Sequence, residues 1–326
     1  MIGRQGARTG IDLGSASVKL VRGVGKARLE RITHAAIEPW DAQGGANGMS
    51  GAAQGLLKLL AREGLRRGDL GRLAVSMGAE EASFREVVMP ELTEAELAGA
   101  LRFEARKHLN LDELTDAESG EPVLTFQILG PAPAAEDGGR EMRVLLAAVS
   151  RKRRQAVLEV LRRAGLDPEV IDLEPLAGLN ALFGQQPAGD EVLALVDLGA
   201  RQAAVHVSAR QGGFFSRSLS LPAPAAGDAP ALAPYAENLR ELIRETFTFY
   251  RGRFRREIRS IYLGGGGALL PGLAGLLRGM VDWPVAVFDP LEGLLARAPA
   301  KTDPAAGGAR FVTACGLCRW WDAQDV

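Results

Sequence analysis

Short apolar runs alternate along the chain with stretches whose apolar residues recur every three or four positions. The runs predict buried strands at residues 11–13, 18–22, 73–77, 125–129, 142–149, 192–198, 204–208, 214–219 and 260–263. The longer spacing predicts helices at residues 56–65, 93–109, 151–164, 239–254 and 307–321. Strands that alternate with helices in this way favour an α/β fold.

Stretches rich in proline, alanine and glycine interrupt this pattern. Residues 130–139 (GPAPAAEDGG) predict a flexible loop. Residues 222–234 (PAPAAGDAPALAP) form a low-complexity spacer, which we expect to build no packed element. A shorter break at residues 185–190 predicts a boundary between two domains.

The composition narrows the classes of function. The 326 residues include 39 Lys and Arg against 40 Asp and Glu, so no basic excess favours nucleic acid as a partner. Cys315 and Cys318 are too few for a disulfide scaffold, and their spacing on an apolar helix predicts a buried core pair. No apolar run reaches the roughly 18 residues that span a membrane, and the first nine residues lead into no signal-peptide core. These features predict a cytoplasmic protein.

Two basic blocks lie in predicted helices. Residues 151–154 (RKRR) predict the solvated outer face of their helix. Residues 251–256 (RGRFRR) have two interpretations, which are a solvated helix end or a patch that attracts anionic lipid. The second interpretation implies indirect association with a membrane.

The same short pattern follows two predicted strands half a chain apart. Residues 10–14 read GIDLG and residues 195–199 read LVDLG, so each strand ends in an aspartate and a glycine turn. Backbone N–H groups in such turns can bind an anion, and Lys19 can neutralise phosphate. Between the two turns, Asp12 and Asp197 could hold Mg²⁺ through water. The alternative for each turn alone is a hairpin with a polar tip.

A run of four glycines, residues 264–267, follows a third strand. Glycines at this place permit close approach of the backbone to a flat ligand or to a helix start. The alternative is a flexible loop, but the apolar strand before the run and the helix start at Pro271–Gly272 argue against it.

In this order, GIDLGSASVK, VDLGA and IYLGGGGALLPGL resemble the phosphate-1, phosphate-2 and adenosine motifs of the actin-like ATPase superfamily. Within it, residues 10–320 resemble the PilM family of type IV pilus assembly proteins, which is related to the cell-division protein FtsA. The resemblance implies duplicated actin-like (ribonuclease H-like) domains with a small inserted α+β subdomain. Its implied boundaries are a flexible leader at 1–9, a first domain at 10–85 completed by 144–184, an inserted subdomain at 86–143, a second domain at 191–300, and a C-terminal helix at 305–326 that returns to the first domain.

The resemblance also implies a site for ATP and Mg²⁺. Its implied nucleotide-binding residues are Asp12, Gly14, Ser15, Ala16, Ser17, Lys19, Asp197, Gly199, Gly265 and Gly266, with Asp12 and Asp197 holding Mg²⁺ through water. Glu174 aligns with an acid that orients water in some actin-like ATPases. The alternative for Glu174 is an acid at a helix start, where the macrodipole favours it.

Two departures from the family pattern weaken the expected nucleotide site. Ala203 stands where a threonine or serine hydroxyl is usual, six residues after Asp197. The spacer at 222–234 is too short for the helical subdomain that normally forms one wall of the cleft, so we expect this subdomain to be missing. Weak nucleotide binding and weak ATPase activity would follow.

The resemblance therefore implies a cytoplasmic scaffold at the inner face of the inner membrane. Its partner would be the N-terminal tail of a PilN-like inner-membrane protein, docked beside the inserted subdomain between walls from residues 73–130, with other pilus assembly proteins as further partners. One alternative is an Mg–ATP-dependent ATPase that uses Asp12, Asp197 and Glu174. Another is the cytoplasmic actin-like domain of a type II secretion platform (GspL-like), which normally continues into a transmembrane segment that this chain, ending at Val326, lacks.

Overall fold

The protein, examined as a computed structural model, contains two large sheets and one small sheet. Residues 6–40, 49–132, 139–186, 189–294, 301–302 and 307–322 are described. The first sheet has the strand order β14-β3-β2-β1-β4-β8. Its strands are β1 (Ala7–Leu13), β2 (Ser17–Val24), β3 (Arg31–Pro39), β4 (Arg72–Met77), β8 (Val170–Leu173) and β14 (Lys301–Thr302).

The second large sheet has the order β11-β10-β9-β12-β13. Its strands are β9 (Val192–Leu198), β10 (Ala203–Ala209), β11 (Gly212–Leu219), β12 (Ile258–Gly264) and β13 (Val285–Val287). In both large sheets, three antiparallel strands in chain order are followed by two parallel strands. This common order confirms the predicted duplication.

The small sheet interrupts the first half of the chain. It is antiparallel, has the order β5-β7-β6, and is formed by β5 (Ala82–Pro90), β6 (Val123–Pro131) and β7 (Glu141–Val149). The helices of the whole chain are α1 (Ser50–Glu63), α2 (Glu94–His108), α3 (Arg151–Arg163), α4 (Glu174–Gln185), α5 (Ala229–Phe254), α6 (Leu273–Met280) and α7 (Val312–Cys318). We call β5, α2, β6 and β7 the inserted unit, because they share a separate apolar core.

Helices cover the outer faces of the sheets and a third core joins the two halves. One core packs the first sheet against α1 and α3, and another packs the second sheet against α5 and α6. The core between the halves includes α4 and α7. Gly10 on β1 permits this arrangement, because a Cβ there would lie 2.1 Å from the carbonyl oxygen of Ala314 in α7. The C-terminal helix is thereby held against the first sheet.

The start of α5 corrects the prediction for residues 222–234. We expected no packed element there, but α5 begins at Ala229. Asp228 caps the helix by accepting a hydrogen bond from the N–H of Ala231 at 3.3 Å, and Pro230 lies in the first turn, where its missing N–H costs nothing. Residues 220–228 alone connect β11 to α5, so no helical subdomain is inserted at this point.

Several predicted boundaries differ from the ends of the observed elements. β1 begins at Ala7, inside the predicted leader, because Ala7 pairs with Val24 of β2, and residues 1–5 lie outside the described part of the chain. β6 extends to Pro131, into the predicted loop. Residues 133–138 of that loop and residues 187–188 of the predicted domain boundary lie outside the described part of the chain. The predicted domain limits themselves stay a prediction.

The C-terminal helix is shorter than the sequence predicts. α7 spans Val312–Cys318 and follows a 3-10 turn, whereas the apolar pattern predicted a helix over 307–321. Cys315 and Cys318 are free and buried, as the core interpretation predicted, and burial raises the pKa of the Cys315 thiol to about 11. Among the described residues, no helix is long and apolar enough to cross a membrane.

Candidate functional site

A cavity of about 480 Å³ lies where the turns after β1 and β9 face each other. Every candidate site residue from the sequence lines it. These residues are Asp12, Gly14, Ser15, Ala16, Ser17, Lys19, Glu174, Asp197, Gly199, Gly265 and Gly266. The duplicated sheets bring the first two motifs together, and the parallel pairing of β9 with β12 brings the glycine run beside them. The structure thus unites the predicted set, while the role of each residue stays a prediction.

The turn after β1 is held by a buried ion pair. Lys19 Nζ donates to Asp12 Oδ2 at 2.6 Å, across the β1–β2 hairpin. Ser76 at the end of β4 donates to Asp12 Oδ1 at 3.0 Å, and its Oγ accepts the N–H of Leu13 at the same distance. Trp40 adds a bond from its Nε1 to the carbonyl oxygen of Gly14 at 3.1 Å. These contacts fix the turn before any ligand binds.

The glycine run approaches the second aspartate closely. Gly265 has φ +80°, and a Cβ there would lie 2.5 Å from both Oδ1 of Asp197 and the carbonyl oxygen of Leu198. Only glycine fits this position without displacing backbone. Gly266 next to it has open space around its missing Cβ. The run is therefore a shaped wall of the cavity, as expected, and not a flexible loop.

Burial, with a smaller contribution from neighbouring negative charge, raises the pKa of two acids in the cavity. Burial raises the pKa of Asp197 to about 6, since the cation of Lys19 offsets the effect only in part and the charge of Asp12 adds to it. Burial also raises the pKa of Glu174 well above its usual range, with the charges of Asp12, Glu80 and Asp197 adding to the shift. Burial lowers the pKa of Lys19, but the acids around it, Asp12 first, more than compensate, so its pKa is raised.

Glu174 is the first residue of α4, as the helix-start interpretation expects, and its side chain also lines the cavity. The two interpretations are therefore compatible in position. Burial raises its pKa well above the usual range, which is the direction in which enzymes tune a carboxylate for proton transfer near neutral pH. A role of Glu174 in orienting water stays a prediction.

The residues present fit a phosphate-bearing ligand. Arg153 and Arg310 line the cavity, and the Nε of each is buried without a hydrogen-bond partner among the described residues. Ser15 and Ser17 add hydroxyl groups at the first turn. No group of three or more potential metal ligands occurs in the described part of the chain. Holding of Mg²⁺ by Asp12 and Asp197 through water stays a prediction.

Sequence reasoning missed several walls of the cavity. Arg310 and Thr313 come from the C-terminal segment, and His206 and Ser216 from β10 and β11, where His206 Nδ1 lies 2.8 Å from Ser216 Oγ. None of these residues stands in a recognisable motif, so only the fold could identify them. Arg153 corrects the prediction that the block 151–154 is an outer helix face, because its half-buried side chain turns into the cavity.

The first departure noted in the sequence, Ala203, has a structural counterpart. Ala203 is fully buried in the core of the second sheet, and it does not line the cavity. Its neighbour Gln202 does, and the carbonyl oxygen of Gln202 accepts the N–H of Gly199 at 2.9 Å. The second turn is therefore closed by backbone, and no hydroxyl is added from position 203.

Comparisons with known proteins agree with this geometry. The sequence profile of the family described as "Type IV pilus assembly protein PilM" matches residues 10–223 and 222–319. The solved PilM–PilN type IV pilus biogenesis complex is similar with a TM-score of 0.75 and 22% identity, over 97% of this chain and 99% of that chain. The ethanolamine utilization protein EutJ from Carboxydothermus hydrogenoformans is similar with a TM-score of 0.54 and 15% identity, over 96% and 89%. No curated protein sequence matches.

A weaker likeness joins the chain to the cytoplasmic domain of EpsL, an inner-membrane component of the type II secretion system of Vibrio cholerae. Its TM-score is 0.47 at 11% identity, over 95% of this chain and 94% of that chain, which is too low to bear on function. The likenesses to solved structures support the actin-like fold alone, whereas the profile covers most of the sequence. The chain belongs to the PilM family of type IV pilus assembly proteins.

Proposed function

We propose that this protein is a cytoplasmic scaffold that binds the N-terminal tail of a PilN-like protein at the inner face of the inner membrane. The solved relative that pairs PilM with PilN motivates the choice of partner. The tail would dock as an extended peptide beside the inserted unit, where backbone pairing and side-chain pockets supply affinity. Other pilus assembly proteins would join through the same scaffold.

The observation that carries this proposal is exposed apolar surface on the inserted unit. Val88 on β5 is 54% exposed, Phe103 on α2 is 71% exposed, and Ile128 on β6 is 41% exposed. Val88 alternates with the core residues Val87 and Met89 and so faces away from α2, which means that the three side chains offer separate candidate contacts for a partner. β5 and β6 are the two edge strands of their sheet. The carbonyl oxygen of Glu86 in β5 accepts a hydrogen bond from Arg253, so β6 offers the freer edge for a further strand.

A peptide titration tests the proposal and locates the surface. A peptide from the cytoplasmic tail of a PilN-like protein is titrated against the wild type and against Val88→Ser, Phe103→Ser and Ile128→Ser. We expect at least one variant to lose about tenfold in affinity, as for a buried apolar anchor. Leu57→Ser is the matched control, since Leu57 on α1 is 46% exposed but lies outside the inserted unit.

The pattern of losses decides where the peptide lies. Val88, Phe103 and Ile128 belong to three different elements, so the variant that fails identifies the side of the inserted unit in contact. Equal affinity in all four variants would exclude this surface. Absence of any binding to the wild type, with or without nucleotide, would refute the scaffold proposal.

We also infer that the cavity binds Mg–ATP weakly. Lys19 and the hydroxyls of Ser15 and Ser17 would hold phosphate oxygens, and Asp12 and Asp197 would hold Mg²⁺ through water. Bound Mg–ATP would supply phosphate oxygens as hydrogen-bond acceptors. The Nε groups of Arg153 and Arg310 have no such acceptor among the described residues. We expect little hydrolysis, because residues 220–228 alone connect β11 to α5 and add no further wall that would position the nucleotide. Calorimetry with Mg–ATP tests this binding. The absence of a heat of binding at millimolar Mg–ATP would refute the nucleotide site and leave the scaffold proposal alone.

A further inference from the structure

Arg153 belongs to a basic block at the start of α3, but its side chain differs from those of its neighbours. Its N–H donates to Ser150 Oγ at 3.3 Å, the bond that caps the helix. Arg151 donates to the carbonyl oxygen of Glu121 at 3.1 Å, and Arg154 is exposed. Because successive helix residues point in different directions, only part of this block reaches solvent. Arg153 is the member that lines the cavity.

The guanidinium of Arg153 has an unused donor inside the protein. Its Nε is buried and makes no hydrogen bond within the described part of the chain. Its Nη2 lies 3.3 Å from the place of a Cβ on Gly78, and Oε2 of Glu80 lies 2.2 Å from the same place. Both atoms approach the same point, so the carboxylate of Glu80 lies beside the guanidinium, while Nε stays without a partner among the described residues. A buried donor without a partner is costly, so it points to an acceptor from outside the chain.

The position of Gly78 places Arg153 beside the first turn. β4 runs parallel to β1, and Ser76 near its end donates to Asp12 at 3.0 Å. Gly78 follows two residues later, so it lies next to the turn that β1 enters. Arg153 and Lys19 thus line the same cavity from two separate elements.

Arg310 offers a natural comparison at the glycine run. It follows Ala309, whose carbonyl oxygen accepts the N–H of Gly265 at 2.8 Å. Its Nε is also buried and unpartnered within the described residues. Since Gly266 in that run has open space, the run suits a flat group, whereas the turn after β1 suits phosphate.

We propose that Arg153 contacts the terminal phosphate of a nucleoside triphosphate and gives the cavity its preference for three phosphates over two. The proposal rests on the nucleotide binding inferred above. A guanidinium can donate two parallel hydrogen bonds to one phosphate, which adds both energy and geometric selection. Lys19 is committed to Asp12, so it cannot provide this selection alone.

Calorimetry on Arg153→Gln tests the proposal, with Mg²⁺ and either ADP or a non-hydrolysable ATP analogue. We expect the variant to lose about tenfold or more in affinity for the triphosphate and less than about threefold for ADP. Arg154→Gln, an exposed neighbour from the same block, should change neither affinity. Arg310→Gln should weaken both ligands alike, because Arg310 acts at the glycine run, on the part of the nucleotide that both share. Arg153→Lys should keep part of the preference, since it retains the charge but not the paired donors.

Each outcome bears on one conclusion. If Arg153→Gln lowers both affinities equally, or neither, while the wild type binds both ligands, the role of Arg153 is refuted and the nucleotide site stands. If the wild type binds neither ligand, the nucleotide site and the role of Arg153 fail together, and the peptide-binding scaffold is unaffected. Circular dichroism and melting temperature check that the variants are folded, with Arg153→Lys as the milder change.

Discussion

The turns after β1 and β9 occupy equivalent places in two sheets of the same strand order, yet their aspartates differ in environment. Asp12 accepts hydrogen bonds from Lys19 and Ser76. Asp197 accepts none from the residues that the structure describes, and burial raises its pKa to about 6. Duplicated backbone therefore does not duplicate electrostatics, because side chains from neighbouring strands decide which aspartate has hydrogen-bond donors.

The two turns therefore contribute to the cavity in different ways. The first turn is closed by its own ion pair and is part of the fold's stability. The second turn holds a buried carboxylate whose charge is only partly offset, so it gains from an added cation. Binding of a metal ion would release the proton from Asp197. The affinity for the metal ion should therefore increase as pH rises through about 6.

Removal of the lysine from the first turn should have the largest effect. Lys19→Met leaves the carboxylate of Asp12, which is 3% exposed, without its cation. We expect the free energy of unfolding to fall by about 3 kcal/mol, as for a broken buried pair. Urea denaturation measures this loss, and the double variant with Asp12→Asn should recover part of it. A change of less than about 0.5 kcal/mol would show that the pair is not structural.

A Cβ in the glycine run should disturb the second turn next. Gly265→Ala combines a positive φ with a 2.5 Å approach to the carbonyl oxygen of Leu198, so we expect a loss of about 2 kcal/mol. Gly266→Ala is the matched control, because its Cβ would meet open space. The two melting temperatures test the comparison, which fails if both variants behave alike.

Neutralisation of the second aspartate should have the smallest effect, and the opposite sign. The pKa of Asp197 rises from 3.8 to about 6 on folding, so its stabilising contribution is present below pH 3.8 and lost as pH rises through about 6. The shift corresponds to about 3 kcal/mol at pH 7. Because the amide of Asn would be buried without a partner, which costs about 2 kcal/mol, Asp197→Asn should stabilise the protein by about 1 kcal/mol net at pH 7 and by less at pH 4. Denaturation at both pH values measures this gain, and Asp12→Asn should show none.

Local sequence pattern predicted the elements that carry both turns. Residues 192–198 and 11–13 are apolar because their strands are buried, and the glycines at 264–267 are typical of a close backbone approach. The prediction for the start of α5 was wrong because the N-cap at Asp228 and the alanines after it favour the helix more than the two prolines disfavour it. The length predicted for α7 was wrong because its end is set by packing against β1, which no local pattern reports.

The sequence by itself determined the two aspartate turns, the glycine run, and the short link between β11 and α5. These follow from residue types that dictate backbone shape within a few positions. The tertiary structure alone decided that Asp12 is paired and Asp197 is not, that Arg153 faces inward, and that Arg310 lines the cavity. The physical reason is that burial, pKa and hydrogen bonding depend on residues brought together from distant parts of the chain, and their distances exist only after packing.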